Sequence, residues 1–294
     1  MFSNISRTIL IICTLLLGAS GAYAEKMHGL AMHGIPKYDK NFTHLAYVNP
    51  EAPKGGTLRF GSYGSFDNLN RVAFKGSKAS GLGYINDTLM RRVWDEAFTL
   101  YGLIAEYVDM PEDRSSITFF INPKARFHDG SPISRDDVLF SLKTFQTKGT
   151  PNQKKTYGKV VETQMIGDNG IKMIFVDNED KELPLIVAGF LPIIPKKYYE
   201  TIDVTKTFLD IPLGSGPYTI AEVDPGRKII YKRVADYWGK DLAVNVGTNN
   251  FDEIRSDFYL DATSLRLALK SGDIDFRSET GDGTKRTWTA VILP

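Results

Sequence analysis

Alternation of apolar and polar residues along the chain predicts a series of β-strands, several of them paired through tight turns. The alternating segments are Thr57–Ser62, Ser116–Asn122, Val161–Ile166, Ile171–Val176, Tyr218–Val223 and Lys228–Arg233. The letters GDNG separate the third segment from the fourth, and DPG separates the last two. Both are turn sequences typical of β-hairpins. The pattern therefore predicts a fold rich in antiparallel hairpins.

Helical spacing of apolar residues marks two other parts of the chain. It predicts a helix over Ile85–Tyr101 and another over Asp261–Lys270, which Asp261 caps and a glycine ends. Strands at Asp252–Leu260 and Asp273–Phe276 flank the second helix, and a strand, helix and strand joined by short loops predict a parallel sheet. Residues 63–83 are rich in Gly, Ser and Asn and predict a loop. The predicted class is mixed α/β with an inserted hairpin-rich subdomain.

The segment Arg126–Leu142, RFHDGSPISRDDVLFSL, contains residue types that also serve in catalytic and metal sites. Ser134 stands three residues before Asp137, the spacing of a helix capping box. This assigns structural roles to the polar residues of the segment other than His128. The four histidines are at positions 28, 33, 44 and 128, none of them three or four residues from another. The spacing therefore gives no support to a metal site.

The first residues have the layout of a secretory signal peptide. Arg7 precedes an apolar run, Ile9–Leu17, and the sequence Ala22-Tyr23-Ala24 follows. Residues 1–24 are therefore predicted to be a signal peptide cleaved near Ala24, which directs the protein to the periplasm. Cys13 is the only cysteine. The mature chain would then contain none and would be held together by core packing without disulfides.

Charge and motifs exclude several classes of function. Lys and Arg number 36 against 35 Asp and Glu, so no basic excess favours nucleic acid. No G-x-S-x-G elbow, phosphate loop or H-E-x-x-H motif is present. A secreted hydrolase is disfavoured because no acid–base constellation is visible. GSGPY at Gly214–Tyr218 could be an anion-binding loop, but a turn feeding a strand is favoured because Pro217 has no N–H and no helix follows.

Several motifs occur in an order that resembles the family 5 extracellular solute-binding proteins. FHDGSPISRDDVLFSL resembles the signature of that family, and PEAPKGGTLRF resembles the lead into its first strand. LPIIPKKYY, PLGSGPYTI, VADYWGKDL and NNFDEI resemble its later motifs. HGLAMHG and GTNNFDEIRSDFYLDAT are most similar to the branch that takes up oligopeptides and the peptide antibiotic microcin C.

The resemblance implies a lobe similar to the type II periplasmic binding proteins and a non-enzymatic function. Such proteins are two-lobed receptors that close over a solute in a cleft between the lobes, with no catalytic residue and no cofactor. The implied function is the substrate-binding component of an ABC importer for oligopeptides or peptide-like solutes. Its partners would be the peptide and the inner-membrane permease, which would be its only link to the membrane.

The resemblance also implies which residues line the cleft. The first set is the loop after the first strand, where family backbone groups pair with an extended peptide: Phe74, Lys75, Gly76, Ser77 and Lys78. Tyr157 stands at the position of a cleft-facing aromatic residue, and Arg277–Glu279 lies where the chain turns toward the other lobe. Ordinary surface-loop positions are the alternative interpretation of each.

The resemblance covers residues 25–280 and is lost in the tail 281–294, GDGTKRTWTAVILP. From this we expect a second lobe that is largely absent, as in a truncated or frameshifted gene. The alternative function is that of a non-transporting remnant or of a one-lobed protein that binds a partner. A single lobe would leave a peptide half in water, so we expect this chain alone to bind peptides weakly or not at all.

Overall fold

The computed structural model describes residues 26–278. The predicted signal peptide, the divergent tail and Glu279 lie outside these residues.

The described part contains strands and helices in mixed order. The strands are β1 (Gly29–Ala31), β2 (Thr57–Tyr63), β3 (Met90–Arg92), β4 (Thr99–Gly102), β5 (Ala105–Asp109), β6 (Ser116–Ile121), β7 (Val160–Ile166), β8 (Gly170–Phe175), β9 (Tyr218–Asp224), β10 (Lys228–Arg233), β11 (Glu253–Tyr259) and β12 (Phe276–Arg277). The α-helices are α1 (Arg135–Lys148), α2 (Pro151–Tyr157), α3 (Leu183–Phe190), α4 (Lys196–Tyr199) and α5 (Ala262–Ser271), and a 3-10 helix spans Leu82–Ile85.

One five-stranded sheet has the order β12-β2-β11-β10-β9. β2 pairs in parallel with both β11 and β12, and β10 pairs antiparallel with β9 and β11. This confirms the predicted hairpin and the parallel strand-helix-strand unit, with β2 lying between the two strands that α5 connects. Gly61 in β2 lets α5 approach, because a Cβ there would lie 2.3 Å from Ile274 Cδ1 and 2.5 Å from Leu265 Cδ1.

Both ends of α5 follow the sequence, but the strand after it is shorter than predicted. Asp261 accepts a hydrogen bond from the Ser264 N–H at 2.8 Å, and Gly272 ends the helix in the left-handed region with φ of 80°. β12 begins only at Phe276, because the residues before it make other contacts. Ile274 is fully buried, and Asp275 forms a salt bridge to Arg59.

The hairpin-rich insertion is a four-stranded antiparallel sheet of order β5-β6-β8-β7. It lies between β2 and β9 in the sequence. Its buried side chains form the main core together with the apolar face of α1, including Ile117, Phe119, Val138, Leu142 and Phe145. The class is therefore mixed α/β, as predicted.

The capping box of α1 is present. The Asp137 N–H donates to Ser134 Oγ at 3.3 Å, and the Ser134 N–H donates to Asp137 Oδ2 at 2.9 Å. The other carboxylate oxygen of Asp137 accepts from the Lys196 N–H at 2.9 Å and so ties α1 to α4. Both residues thus have a structural role.

Replacement of Ser134 by alanine is expected to lower the free energy of unfolding by about 1 kcal/mol, the usual effect of losing an N-cap side chain. Chemical denaturation measures this. Thr263→Ala is the control, because Thr263 is exposed in the first turn of α5. Equal stability of the Ser134→Ala and Thr263→Ala variants would contradict the capping role.

The predicted helix over Ile85–Tyr101 is wrong. Its residues form the end of the 3-10 helix and then β3 and β4, which join β1 in a three-stranded antiparallel sheet. Tertiary partners override the local spacing. Met90, Leu100 and Tyr101 are all buried, but in the sheet.

The segment before β3 is held by residues that are distant in sequence, in a cluster here called the junction: residues 85–87, 214–216, Tyr237 and Trp238. The buried carboxylate of Asp87 accepts hydrogen bonds from the Tyr237 hydroxyl at 2.9 Å and from Trp238 Nε1 at 3.0 Å. Burial raises the pKa of Asp87 to about 7, and these two donors partly oppose the shift.

The junction confirms that GSGPY is a turn feeding β9. The Ser215 and Gly216 N–H groups both donate to the Ile85 carbonyl, at 2.8 and 3.0 Å, so neither is available to an anion. His128 also has a structural role here, since its Nε2 donates to the Gly216 carbonyl at 2.8 Å. Burial lowers the pKa of His128.

Candidate functional site

The loop between β2 and the 3-10 helix is built around two fully buried asparagines. Asn68 Oδ1 accepts from the Asn70 N–H at 2.8 Å, and Asn68 Nδ2 donates to the Lys75 carbonyl at 3.1 Å. Asn70 Oδ1 accepts from the Val72 N–H, and its Nδ2 donates to the Val204 carbonyl. These side chains supply the hydrogen bonds that a loop lacks, so the loop has a defined shape.

The part of the loop predicted to line a cleft is exposed. Phe74 is 66% exposed, and Lys75, Gly76, Ser77 and Lys78 are exposed as well. Gly76 has φ of +79°, and a Cβ there would lie 2.6 Å from Thr207 Cγ2, so only glycine fits. Within the described residues, the Phe74 and Gly76 backbone groups make no hydrogen bond. They are free to pair with another chain.

Tyr157 is buried, whereas the resemblance predicted a side chain that faces the cleft. It is 4% exposed, belongs to the main core and packs edge-on against Phe145 with 6.2 Å between ring centroids. Burial raises its pKa to about 12, and the nearby charge of Arg71 partly opposes this. Tyr157 is therefore close to Arg71, a residue of the loop that the sequence did not single out.

Arg277 lies in β12 opposite Gly61 of β2, toward the carboxyl ends of the parallel strands. Burial, followed by the charge of Arg266, lowers its pKa. Glu279 lies outside the described residues. In open α/β sheets, ligands bind outside the carboxyl ends of parallel strands, and here that edge continues from Tyr63 into the loop after β2. Tyr63 is 68% exposed there.

Residues 26–278 contain no group of three or more His, Cys, Asp or Glu side chains placed to hold a metal ion. Within the same range, no helix has both the length and the apolar character needed to cross a membrane.

The loop follows β2 at the carboxyl ends of the parallel strands, the edge at which open α/β sheets bind ligands. The chain belongs to the bacterial extracellular solute-binding proteins, family 5, because the model of the middle part of that family matches residues 99–288. This is a family of solute-binding proteins of ABC importers, not of enzymes, and it confirms the predicted resemblance.

Two curated relatives come from Agrobacterium fabrum. The peptidoglycan-binding protein YepA is 40% identical over 280 residues, which cover 92% of this chain and 45% of YepA. The probable peptide-binding protein YejA is 40% identical over 258 residues, which cover 85% of this chain and 42% of YejA. This chain thus spans less than half the length of these relatives.

Solved structures show the same fold. The oligopeptide-binding protein AppA of Bacillus subtilis, in complex with a nonapeptide, superposes with a TM-score of 0.61 at 20% identity, over 77% of this chain and 44% of AppA. The likeness confirms the predicted lobe of a periplasmic binding protein.

Proposed function

We propose that this chain acts in the periplasm as the substrate-binding component of an ABC importer for oligopeptides, and that it delivers them to an inner-membrane permease. The observation that carries the proposal is the exposed loop Phe74–Lys78 after β2, in which the Phe74 and Gly76 backbone groups make no hydrogen bond within residues 26–278. The likeness to YejA supports peptides as the ligand class. Export through a signal peptide of residues 1–24 is part of this proposal.

Backbone pairing suits a receptor with many substrates. An extended peptide that pairs with a loop or strand edge receives main-chain hydrogen bonds that do not depend on its side chains. Phe74 beside these groups offers apolar area to a peptide side chain. Arg277 and Glu279 remain part of the proposed site, whereas Tyr157 would act from beneath the loop.

Peptides derived from peptidoglycan are a second ligand class within the same function. Their candidacy rests on the similarity to YepA, whose name specifies peptidoglycan binding. Such peptides carry several carboxylates, and the presence of Arg71 and Lys78 at the loop favours anionic ligands.

The test is a titration of the ¹⁵N-labelled chain with tetra-alanine up to millimolar concentration, followed by amide NMR spectra. We expect saturable shifts at Phe74–Lys78 with weak affinity, because a single lobe leaves the bound peptide in contact with water. The exposed hairpin turn at Asp168 is the internal control and should not shift.

Two outcomes would contradict the proposal. The first is no shift in the loop at millimolar peptide. The second is equal shifts in the loop and at Asp168, which would mean nonspecific contact. A fragment of peptidoglycan in place of tetra-alanine separates the two ligand classes, since the class with the lower dissociation constant is the preferred one.

A further inference from the structure

Arg71 is a half-buried cation without an acidic partner among the described residues. Its guanidinium makes one hydrogen bond there, from Nη1 to Asn86 Oδ1 at 3.4 Å. None of the ion pairs found within residues 26–278 includes it. Burial lowers its pKa, and the opposing influences come from tyrosines and not from a carboxylate. A desolvated charge of this kind calls for a counter-charge.

A second cation lies next to Arg71. Lys78 Nζ donates to the Arg71 carbonyl at 2.8 Å, which brings the lysine back over the base of the loop. Burial, followed by the charge of Arg71, lowers the pKa of Lys78. Two positive charges that disfavour one another therefore stand at one point of the loop.

Tyr199 adds a hydroxyl without a partner. The side chain is 2% exposed, and its hydroxyl oxygen is fully buried with no hydrogen-bond partner among residues 26–278. Burial raises the pKa of Tyr199, and the charge of Arg71 partly opposes this rise, as it does for Tyr157. Tyr231, the third tyrosine near Arg71, donates to the Ser80 carbonyl at 2.6 Å and is satisfied.

The cluster formed by Arg71, Lys78 and Tyr199 thus has more hydrogen-bond donors than acceptors. The guanidinium has five N–H donors and the ammonium three, and the Tyr199 hydroxyl is a further donor. A buried donor without an acceptor is costly, so a ligand that only accepts hydrogen bonds is the group that fits. A carboxylate accepts through two oxygens and matches the fork of a guanidinium.

We propose that Arg71, Tyr199 and Tyr157 form a carboxylate subsite and that Lys78 adds to its positive charge. The proposal rests on the proposed function: a peptide paired with Phe74–Lys78 would place a carboxylate against Arg71. That carboxylate comes either from the C-terminus of the peptide or from an acidic side chain.

Three peptides test the subsite and separate these sources: tetra-alanine, its C-terminal amide, and Ala-Glu-Ala-Ala amide. We expect the free acid to bind at least about tenfold more tightly than the amide, because a charge-assisted pair is lost in the amide. The Arg71 Nε–Hε resonance should shift with the free acid and not with the amide. Recovery of affinity by the glutamate peptide assigns the subsite to acidic side chains as well.

Variants test whether the preference for the free acid over the amide depends on Arg71 and Tyr199. Arg71→Met should reduce the ratio of the two affinities to about one. Arg227→Met is the matched control, since its side chain is 83% exposed, and it should keep the ratio. Tyr199→Phe should lower the affinity for the free acid several-fold without loss of stability, because it removes a hydroxyl that has no partner. It also serves as the test if Arg71→Met fails to fold.

Equal binding of acid and amide by the unchanged chain, with loop shifts in both, would overturn the subsite and leave the proposed function standing. So would an unchanged ratio in both Arg71→Met and Tyr199→Phe. Absence of loop shifts with every peptide would instead overturn the proposed function.

Discussion

Replacing Gly214 with alanine is expected to lower the free energy of unfolding by about 3 kcal/mol, at the upper end of the usual effect of overpacking. A Cβ at this position would lie 1.9 Å from the Ile85 carbonyl oxygen. That oxygen is backbone and already accepts two N–H groups of the same turn, so neither partner can move without loss of hydrogen bonds. Chemical denaturation followed by circular dichroism measures the change.

Gly83→Ala is the control for this prediction. Gly83 lies in the neighbouring 3-10 helix, and a Cβ there would meet no atom within 4 Å. We expect its stability to stay within about 0.5 kcal/mol of the unchanged chain. If both alanine variants were equally stable, the close contact in the junction would not exist in solution.

The second large effect is a dependence of stability on pH through Asp87. The folded pKa of about 7 lies above the ordinary value of 3.8, so the folded state binds more protons than the unfolded state between these pH values. The free energy of unfolding therefore falls as the pH rises toward 7. Between pH 5 and pH 8, this group should remove about 3 kcal/mol, at 1.36 kcal/mol per pKa unit.

Asp87→Asn isolates this contribution. Its Oδ1 can still accept from Tyr237 and Trp238, but the side chain no longer ionises. His128 acts in the opposite direction, because burial lowers its pKa below the ordinary value of 6.5 and its neutral form is the one that fits. The measurement is therefore the difference between the pH profile of stability of Asp87→Asn and that of the unchanged chain. Parallel profiles from pH 5 to pH 8 would show that Asp87 is ionised throughout in the folded state.

Sequence reasoning succeeded where the determinants of structure are local. Alternation and turn residues predicted the hairpins β7–β8 and β9–β10, and the spacing of Ser134 and Asp137 predicted the start of α1. Each of these features is decided within about ten residues of chain. The ordered motifs then identified the family, since they combine weak local patterns over most of the chain.

Sequence reasoning failed where residues that are distant in the sequence determine the local structure. Residues 85–101 have the spacing of a helix, but Asp87 is fixed by Tyr237, 150 residues later in the sequence. The site shows the same limit. Composition predicted the loop and the family resemblance indicated Phe74–Lys78 within it, whereas Arg71 acquires its importance from Tyr157 and Tyr199, which no local pattern places beside it. Arg71 is the one arginine among residues 63–83, and that was the one signal available.

The position of β2 between two strands from the end of the described residues sets an order of assembly for the growing chain. Thr57 in β2 lies beside Glu253 in β11, 196 residues away, and β12 comes later still. A nascent chain therefore exposes both edges of β2, an early strand, until nearly all of the described residues have been made. By contrast, β9 and β10 can pair with each other as soon as both are made, because only a short turn separates them. Since unpaired strand edges invite pairing with other chains, β2 is the segment that a chaperone would most need to shield.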